Sequence, residues 1–328
     1  MNHFDLTPDL IYYASCPRCY NLYPPKTQSN PRYPEFCNYQ EFRGERRCGE
    51  RLIKRKEPGK PTAALHPYTY QPLDSWLGKL LSRPGLIESM EKTTSPWNKI
   101  TSVCRDIFGG KALREFFAAD QKTLFLDTPQ GELRLILNLN IDWFNPFGNK
   151  ISGKHCKVGG IYMVCMNLPP YLRYRVENVY LVGIIPGPGE PSLHHLNHLL
   201  RPLVNDLLRF WHPGVYFSQT ASHTMGVLVR CALLAVICDL PALRKTAGFA
   251  GVGAHRFCSF CRLLDSQIQN FDVNCWPQWT RDQHMAAAKQ WKDAPTHKER
   301  EAEFAKHGIR WSELLRLSYE VRSARCNA

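Results

Sequence analysis

Two aspartates stand where apolar runs of chain end, and a carboxylate in such a place can do chemistry. Residues 133–147 read LRLILNLNIDWFNPF, an apolar run that ends on Asp142 and leaves through Asn145-Pro146. Residues 227–239 read VLVRCALLAVICD, a second apolar run that ends on Asp239 before Leu240-Pro241-Ala242 turns the chain away. An acid at the end of a buried run is costly unless it is paired, hydrated or bound to a metal. Two such acids on neighbouring strands can hold a divalent cation between them. Taken singly, each also suits plain turn chemistry, since Asp beside Pro commonly shapes a turn. The pairing is what points to a metal-dependent site, with Asp142 and Asp239 as its catalytic candidates.

Cysteines make the second pattern. Near the start the spacing is Cys16-x2-Cys19, then Cys37, then Cys48, in the text CPRC, YPEFC and GERRC. A tight pair forms a knuckle, and two later thiols complete a tetrahedral Zn2+ site. So small a module, rich in Pro, has little core, and the metal would supply much of its folding energy. A second CxxC lies at Cys258 and Cys261, with His284 expected to join it as a ligand and Cys275 and His255 as further candidates. A redox pair is the competing reading, but no thioredoxin-like surroundings accompany it. Between the patterns runs a basic stretch, Arg43, Arg46, Arg47, Arg51, Lys54, Arg55 and Lys56. Beside a zinc knuckle these suit phosphate contact, although a charge run is often only a solvated face. Lys54-Arg55-Lys56 also suits nuclear targeting.

The elements that must position these residues follow from period and composition. A length of 328 residues suggests about two domains at ~150 residues each. The hydrophobic fraction of 44% supports a sizeable core, and the net charge of +13 points to an anionic partner, nucleic acid first. Thirteen cysteines without an apolar leader in MNHFDLTPDL read as reduced thiols, some of them metal ligands. The apolar runs are too short to span a bilayer, so no membrane partner is expected. Residues 1–60 form the Cys-rich module. Residues 61–120 read as helical, with Asp74 or Ser75 as a cap and a further helix over residues 98–117. From residue 121 strand signals take over, at 122–127, 132–140, 160–168 and 178–185. A long helix capped by Ser192 runs to Pro213-Gly214, followed by the run to Asp239 and a short helix over residues 241–249. Residues 251–328 carry the second CxxC and two charged helices separated by Pro295 and Gly308. The fold class is therefore α/β, in its α+β form. A ribonuclease H-like mixed sheet over residues 121–250 has flanking helices and follows the zinc module and the helical segment.

Longer motifs carry a family resemblance. NIDWFNPFGNKISGKH, GGIYMVCMNLPPYLRYRVENVYLVGIIPGPGEPS, HLLRPLVNDLLRFWHPGV, VICDLPALRKTAGFAG and RFCSFC occur in the order seen in CACTA-type (En/Spm-like) DNA transposases. The chain most resembles the fungal Plavaka branch, which the CPRC module, YQPLDSWLGKLLSRPG and KHGIRWSELLRL also fit. The resemblance implies a DDE/D acid triad, with Asp142 as its first member and Asp239 as its second. It implies Mg2+ or Mn2+ as catalytic cofactor, structural Zn2+, and transposon DNA ends as partner, with self-association left open. It places the third acid after WSELLRL, in a DSMH-like stretch. Here the text after Leu317 is SYEVRSARCNA, whose one acid is Glu320, and Glu313 belongs to WSELL. The chain is accordingly expected to be a copy truncated before its third acid and inactive in strand transfer. The alternative from another class is a transposase-derived zinc protein that binds DNA without cutting it.

Overall fold

The computed structural model describes residues 9–25, 33–54, 63–95, 104, 106–147, 156–317, 319 and 322–323. Its centre is a mixed sheet. Strand β4 (Glu132–Phe144) is a near-continuous apolar run because both of its faces are covered, and only its last residues come to the surface. It pairs antiparallel with β5 (Val158–Cys165), which pairs antiparallel with β6 (Val179–Ile185). After helix α5 (Leu196–Trp211) and a short strand β7 (Val215–Phe217), strand β8 (Val227–Val236) returns on the other side of β4 and runs parallel to it. An antiparallel meander, a helix and a parallel returning strand form the ribonuclease H-like arrangement expected from the sequence. Leu196, Leu199, Leu200, Leu203 and Leu207 recur at helical spacing on α5 and are all buried.

The sheet extends further than the sequence suggested. Strands β1 (Ile11–Ser15), β2 (Leu22–Tyr23) and β3 (Pro67–Tyr70) add to the β6 edge, giving the order β2-β1-β3-β6-β5-β4-β8-β7. The strand carrying the first cysteine knuckle thus joins the central sheet. At the other side β9 (Arg322–Ser323) pairs parallel with β8 at Ala235 and Val236. The end of the stretch expected to be helical therefore comes back beside the strand that leads to Asp239.

Four local expectations are corrected. Residues 122–127 are not a strand: the Asp120 carboxylate takes the amides of Lys122 and Thr123 and the Thr123 hydroxyl, which winds a turn instead. Buried Arg134 then donates to the carbonyls of Leu124, Phe125 and Asp127, holding that turn against β4. The described part of the expected helix over 98–117 is a 3-10 turn at Ile107–Gly109 and one short helix, α3 (Lys111–Arg114), separated by Gly110. Helix α1 (Leu73–Leu81) begins at Pro72 without a side-chain cap of its own. Its first amide, Leu73 N–H, is taken by Asp206 of α5 at 3.0 Å, and the same oxygen accepts from Tyr70 at 2.6 Å. Likewise α5 starts after His195 with no side-chain cap, later than a Ser192 cap would place it. Helix α2 (Leu86–Thr94) and α6 (Leu240–Ala247) form as expected, and so do the charged pair α7 (Arg281–Asp293) and α8 (His297–His307), while one helical turn, α4 (Pro170–Arg173), lies between β5 and β6. No helix among the described residues is long and apolar enough to cross a membrane.

Candidate metal and acid sites

Asp142 and Asp239 come from the carboxyl ends of adjacent parallel strands, which is where open α/β sheets place their ligands. β4 continues past its pairing with β8, so Asp142 lies opposite Gly160 of β5 while Asp239 follows the end of β8. Two bonds tie the ends together: Ile237 N–H to the Leu139 carbonyl at 2.8 Å, and Ile141 N–H to Cys238 Sγ at 3.1 Å. The Cys238 thiol is pushed up to about 11, by burial first and then by the charges of both Asp239 and Asp142. Both carboxylates are exposed and line one cavity of about 620 Å3.

Each acid also has a local job. Asp142 Oδ1 accepts the Trp143 amide at 2.8 Å, and Asp239 Oδ1 caps α6 by accepting the Ala242 amide at 2.8 Å. The turn reading of Asp239 therefore holds alongside the cavity reading. Both of these bonds engage Oδ1, and hard divalent cations take such carboxylate oxygens as ligands.

The sequence reading passed over three other residues of this cavity. Glu190 accepts from Lys157 Nζ at 2.7 Å and from Lys245 Nζ at 2.9 Å, and Lys245 also lies 5.1 Å above the Trp143 ring. Burial pushes the Glu190 carboxyl up, but the two lysines outweigh it and hold it below its usual range. The signal was present in PGPGEPS and DLPALRKTAGFAG, where a Glu between turn residues and a Lys beside the DLPA acid go unused by any core pattern. Of the acids near the end of the chain, Glu320 lies outside the described residues. Glu313 is buried and ion-paired to Arg201 at 3.6 Å and Arg316 at 2.9 Å.

Cys16, Cys19, Cys37 and Cys48 converge. Their sulfurs all lie within 4.8 Å of one another, with Cys16–Cys48 at 3.7 Å and Cys19–Cys37 at 3.5 Å. Tetrahedral Zn–S bonds of ~2.3 Å set sulfurs roughly 3.5–4 Å apart, so the group fits zinc. Cys16, Cys19 and Cys37 are buried. Contacts with Cys16 and then Cys19, with help from Tyr23, pull the Cys37 thiol below its usual range. This buried four-cysteine cluster could hold a metal such as zinc.

The second pair is less complete. The amides of Phe260 and Cys261 both point at Cys258 Sγ at 3.4 Å, the knuckle geometry of a ligand loop. His284 stacks on Phe249 at 5.0 Å, Cys275 donates to Asp272, and His255 pairs with Asp265. Among the described residues none of the three gathers with Cys258 and Cys261 into a group of metal ligands. A different group does gather, Glu41 with His194 and His195. Burial, ahead of Arg300 and Arg310, pushes the His194 imidazole down to about 4. His195 is also held at about 4 and His198 at about 3, again with burial as the main cause.

In the basic stretch Arg43, Arg46, Arg47 and Lys54 are exposed, while Arg51 pairs with Glu35 at 2.7 Å and sits over Phe36. Arg55 and Lys56 lie outside the described residues.

Fold and sites together define a class: a ribonuclease H-like α/β core with acids at neighbouring strand ends over an open cavity, joined to a four-cysteine module. Residues 114–310 match the family model described as "Transposase family tnp2", and the chain belongs to that family. The match takes in Asp142, Asp239, Glu190 and the second CxxC, while the four-cysteine module precedes it. No curated protein matches the chain.

Proposed function

We propose that this protein is a CACTA-type transposase of the Plavaka branch, acting in the nucleus on the DNA ends of its element through a DDE/D-type ribonuclease H-like core. The observation that carries this is the placement of Asp142 and Asp239 at adjacent strand ends on one cavity, within a chain of the tnp2 family. Asp142 and Asp239 would hold Mg2+ or Mn2+. A divalent cation there supplies charge neutralisation at the attacking and leaving oxygens of a phosphodiester. The chain's own part is to position. β4 and the α6 cap fix the two carboxylates, and the exposed Arg43, Arg46, Arg47 and Lys54 offer phosphate contacts that carry no sequence information. A structural zinc at the four-cysteine cluster would hold that basic stretch in place.

The test is a Mg2+ or Mn2+ cleavage assay on DNA bearing the element's ends, with the Asp142→Ala, Asp239→Ala double variant as control. Cleavage that the double variant lacks supports the transposase reading. Cation-independent binding, steeply salt-sensitive and without cleavage, supports the second reading, a transposase-derived DNA-binding protein. That reading is favoured by one observation: the third carboxylate of the cavity, Glu190, is already engaged by Lys157 and Lys245.

A further inference from the structure

We propose that Glu41, His194 and His195 form a second zinc site, of mixed nitrogen and oxygen ligation, that pins the four-cysteine module to the turn leading into α5. One ligand atom from each lies within 4.8 Å of the others. His194 Nε2 stands 3.3 Å from Glu41 Oε1. Two ligand atoms each ~2.0–2.1 Å from a tetrahedral ion are necessarily ~3.3–3.4 Å apart. The spacing is therefore that of two ligands sharing one ion. The rings of His194 and His195 lie 4.2 Å apart and are tilted by 62°, so the two imidazoles are close neighbours in different planes. Imidazole with a carboxylate is a donor set that suits zinc.

Two further observations fit. Arg300 donates to Glu41 Oε1 at 2.7 Å while its guanidinium stacks over Phe42 and Trp291. Ligating carboxylates are commonly hydrogen-bonded from outside in this way, which fixes their orientation. Within the first turn of α5, His198 is 6% exposed, packs edge-on against Tyr39, and its buried Nδ1 has no partner among the described residues. A buried imidazole nitrogen without a partner calls for an explanation, and the His198 ring lies 6.3 Å from that of His195, so a hydrated ion held there is a source of one. The charges of Arg300 and of the α5 N-terminus oppose a cation here, so the site is weaker than the four-cysteine cluster and empties first.

The position gives the site a use. Glu41 belongs to the four-cysteine module, between Cys37 and Cys48 in sequence. His194 and His195 directly follow Leu193, which with Glu190 lines the acid cavity. Arg300 brings in α8. A metal here would tie the module, the cavity wall and the charged helical pair at one point.

The test uses the full chain. X-ray absorption at the zinc edge should show a nitrogen/oxygen shell beside the sulfur shell, and His194→Ala with His195→Ala should lose one zinc per chain together with that shell. With Co2+ in place of zinc, the double variant should keep the charge-transfer and ligand-field bands of the four-cysteine cluster and lose the weaker ligand-field absorption that the nitrogen/oxygen site adds. Glu41→Gln should release the same metal at lower chelator concentration than the wild type. A wild-type spectrum with sulfur ligands alone overturns the proposal without any variant. So does a double variant that retains its full metal count.

Discussion

Stripping the metal from the four-cysteine cluster should open the amino-terminal module while leaving the central sheet intact. The buried group around the cluster consists of Ala14, Tyr23, Leu52 and Ile53 besides three of the cysteines themselves. That is a small apolar core for so long a segment. Zinc in such modules supplies ~10 kcal/mol or more of apparent folding energy at neutral pH. This is comparable with the entire stability of an ordinary domain, ~5–15 kcal/mol. Replacing Cys37 by Ser removes one of the four sulfur ligands and its contacts with Cys19 and Tyr23. The module's own bonds should then fail: Cys37 to Glu50, Gly49 to Cys37, Cys48 to Tyr39 and Leu52 to Glu35. The ladder of β1 with β3, and of β3 with β6, does not depend on the thiols and should keep part of its protection. The assay is amide hydrogen exchange on wild type, chelator-treated wild type and Cys37→Ser, read beside zinc content. Fast exchange confined to residues 36–52, with residues 133–141 unchanged, is the expected result. Zinc-free protein with undiminished protection over residues 36–52 would refute the claim that the metal holds the module.

Four further outcomes follow from single residues. Arg173 is 5% exposed and donates to the Met166 and Leu168 carbonyls and twice to Asp106, so Arg173→Ala should cost ~3–5 kcal/mol by urea unfolding. Asp239→Asn should keep the α6 cap while weakening Mn2+ binding, whereas Asp239→Ala should also lose about 1 kcal/mol of stability; equal melting temperatures would contradict the cap. Gly248 has a φ of +85°, and an added Cβ would run into the Arg310 carbonyl oxygen, so Gly248→Ala should destabilise by about 2 kcal/mol in the same unfolding assay. Burial lowers the His66 pKa below its unfolded value, so the folded state binds fewer protons and stability should fall as pH drops below ~6.5; His66→Gln should flatten that part of the pH–stability curve.

The sequence by itself determined the elements whose signal is local. β4 and β8 were legible because a strand covered on both faces is mostly apolar, and their terminal acids were legible because a charge beside such a run is costly unless it is paired, as Arg134 and Arg230 are with Glu132. α5 was legible through its leucine period, α6 through Asp239 and Gly248, and the four-thiol group through the length of chain a knuckle needs. Tertiary structure decided whatever depends on a partner distant in sequence. Residues 67–70 are a strand only because β1 and β6 flank them, and α1 begins where Asp206, from a far later stretch of chain, takes its first amide. Residues 122–127 alternate like a strand, yet Asp120 and Arg134 offer their backbone better bonds than a sheet edge does. His284 has the type and spacing of a ligand, but packing on Phe249 fixes its ring, and spacing alone cannot report a ring's direction. Glu190, Lys157 and Lys245 lie in three separate segments, and Glu41 is far in sequence from His194 and His195. Only folding of the chain makes them neighbours, because charge pairing and metal ligation act over a few ångströms of space and leave no period in the sequence.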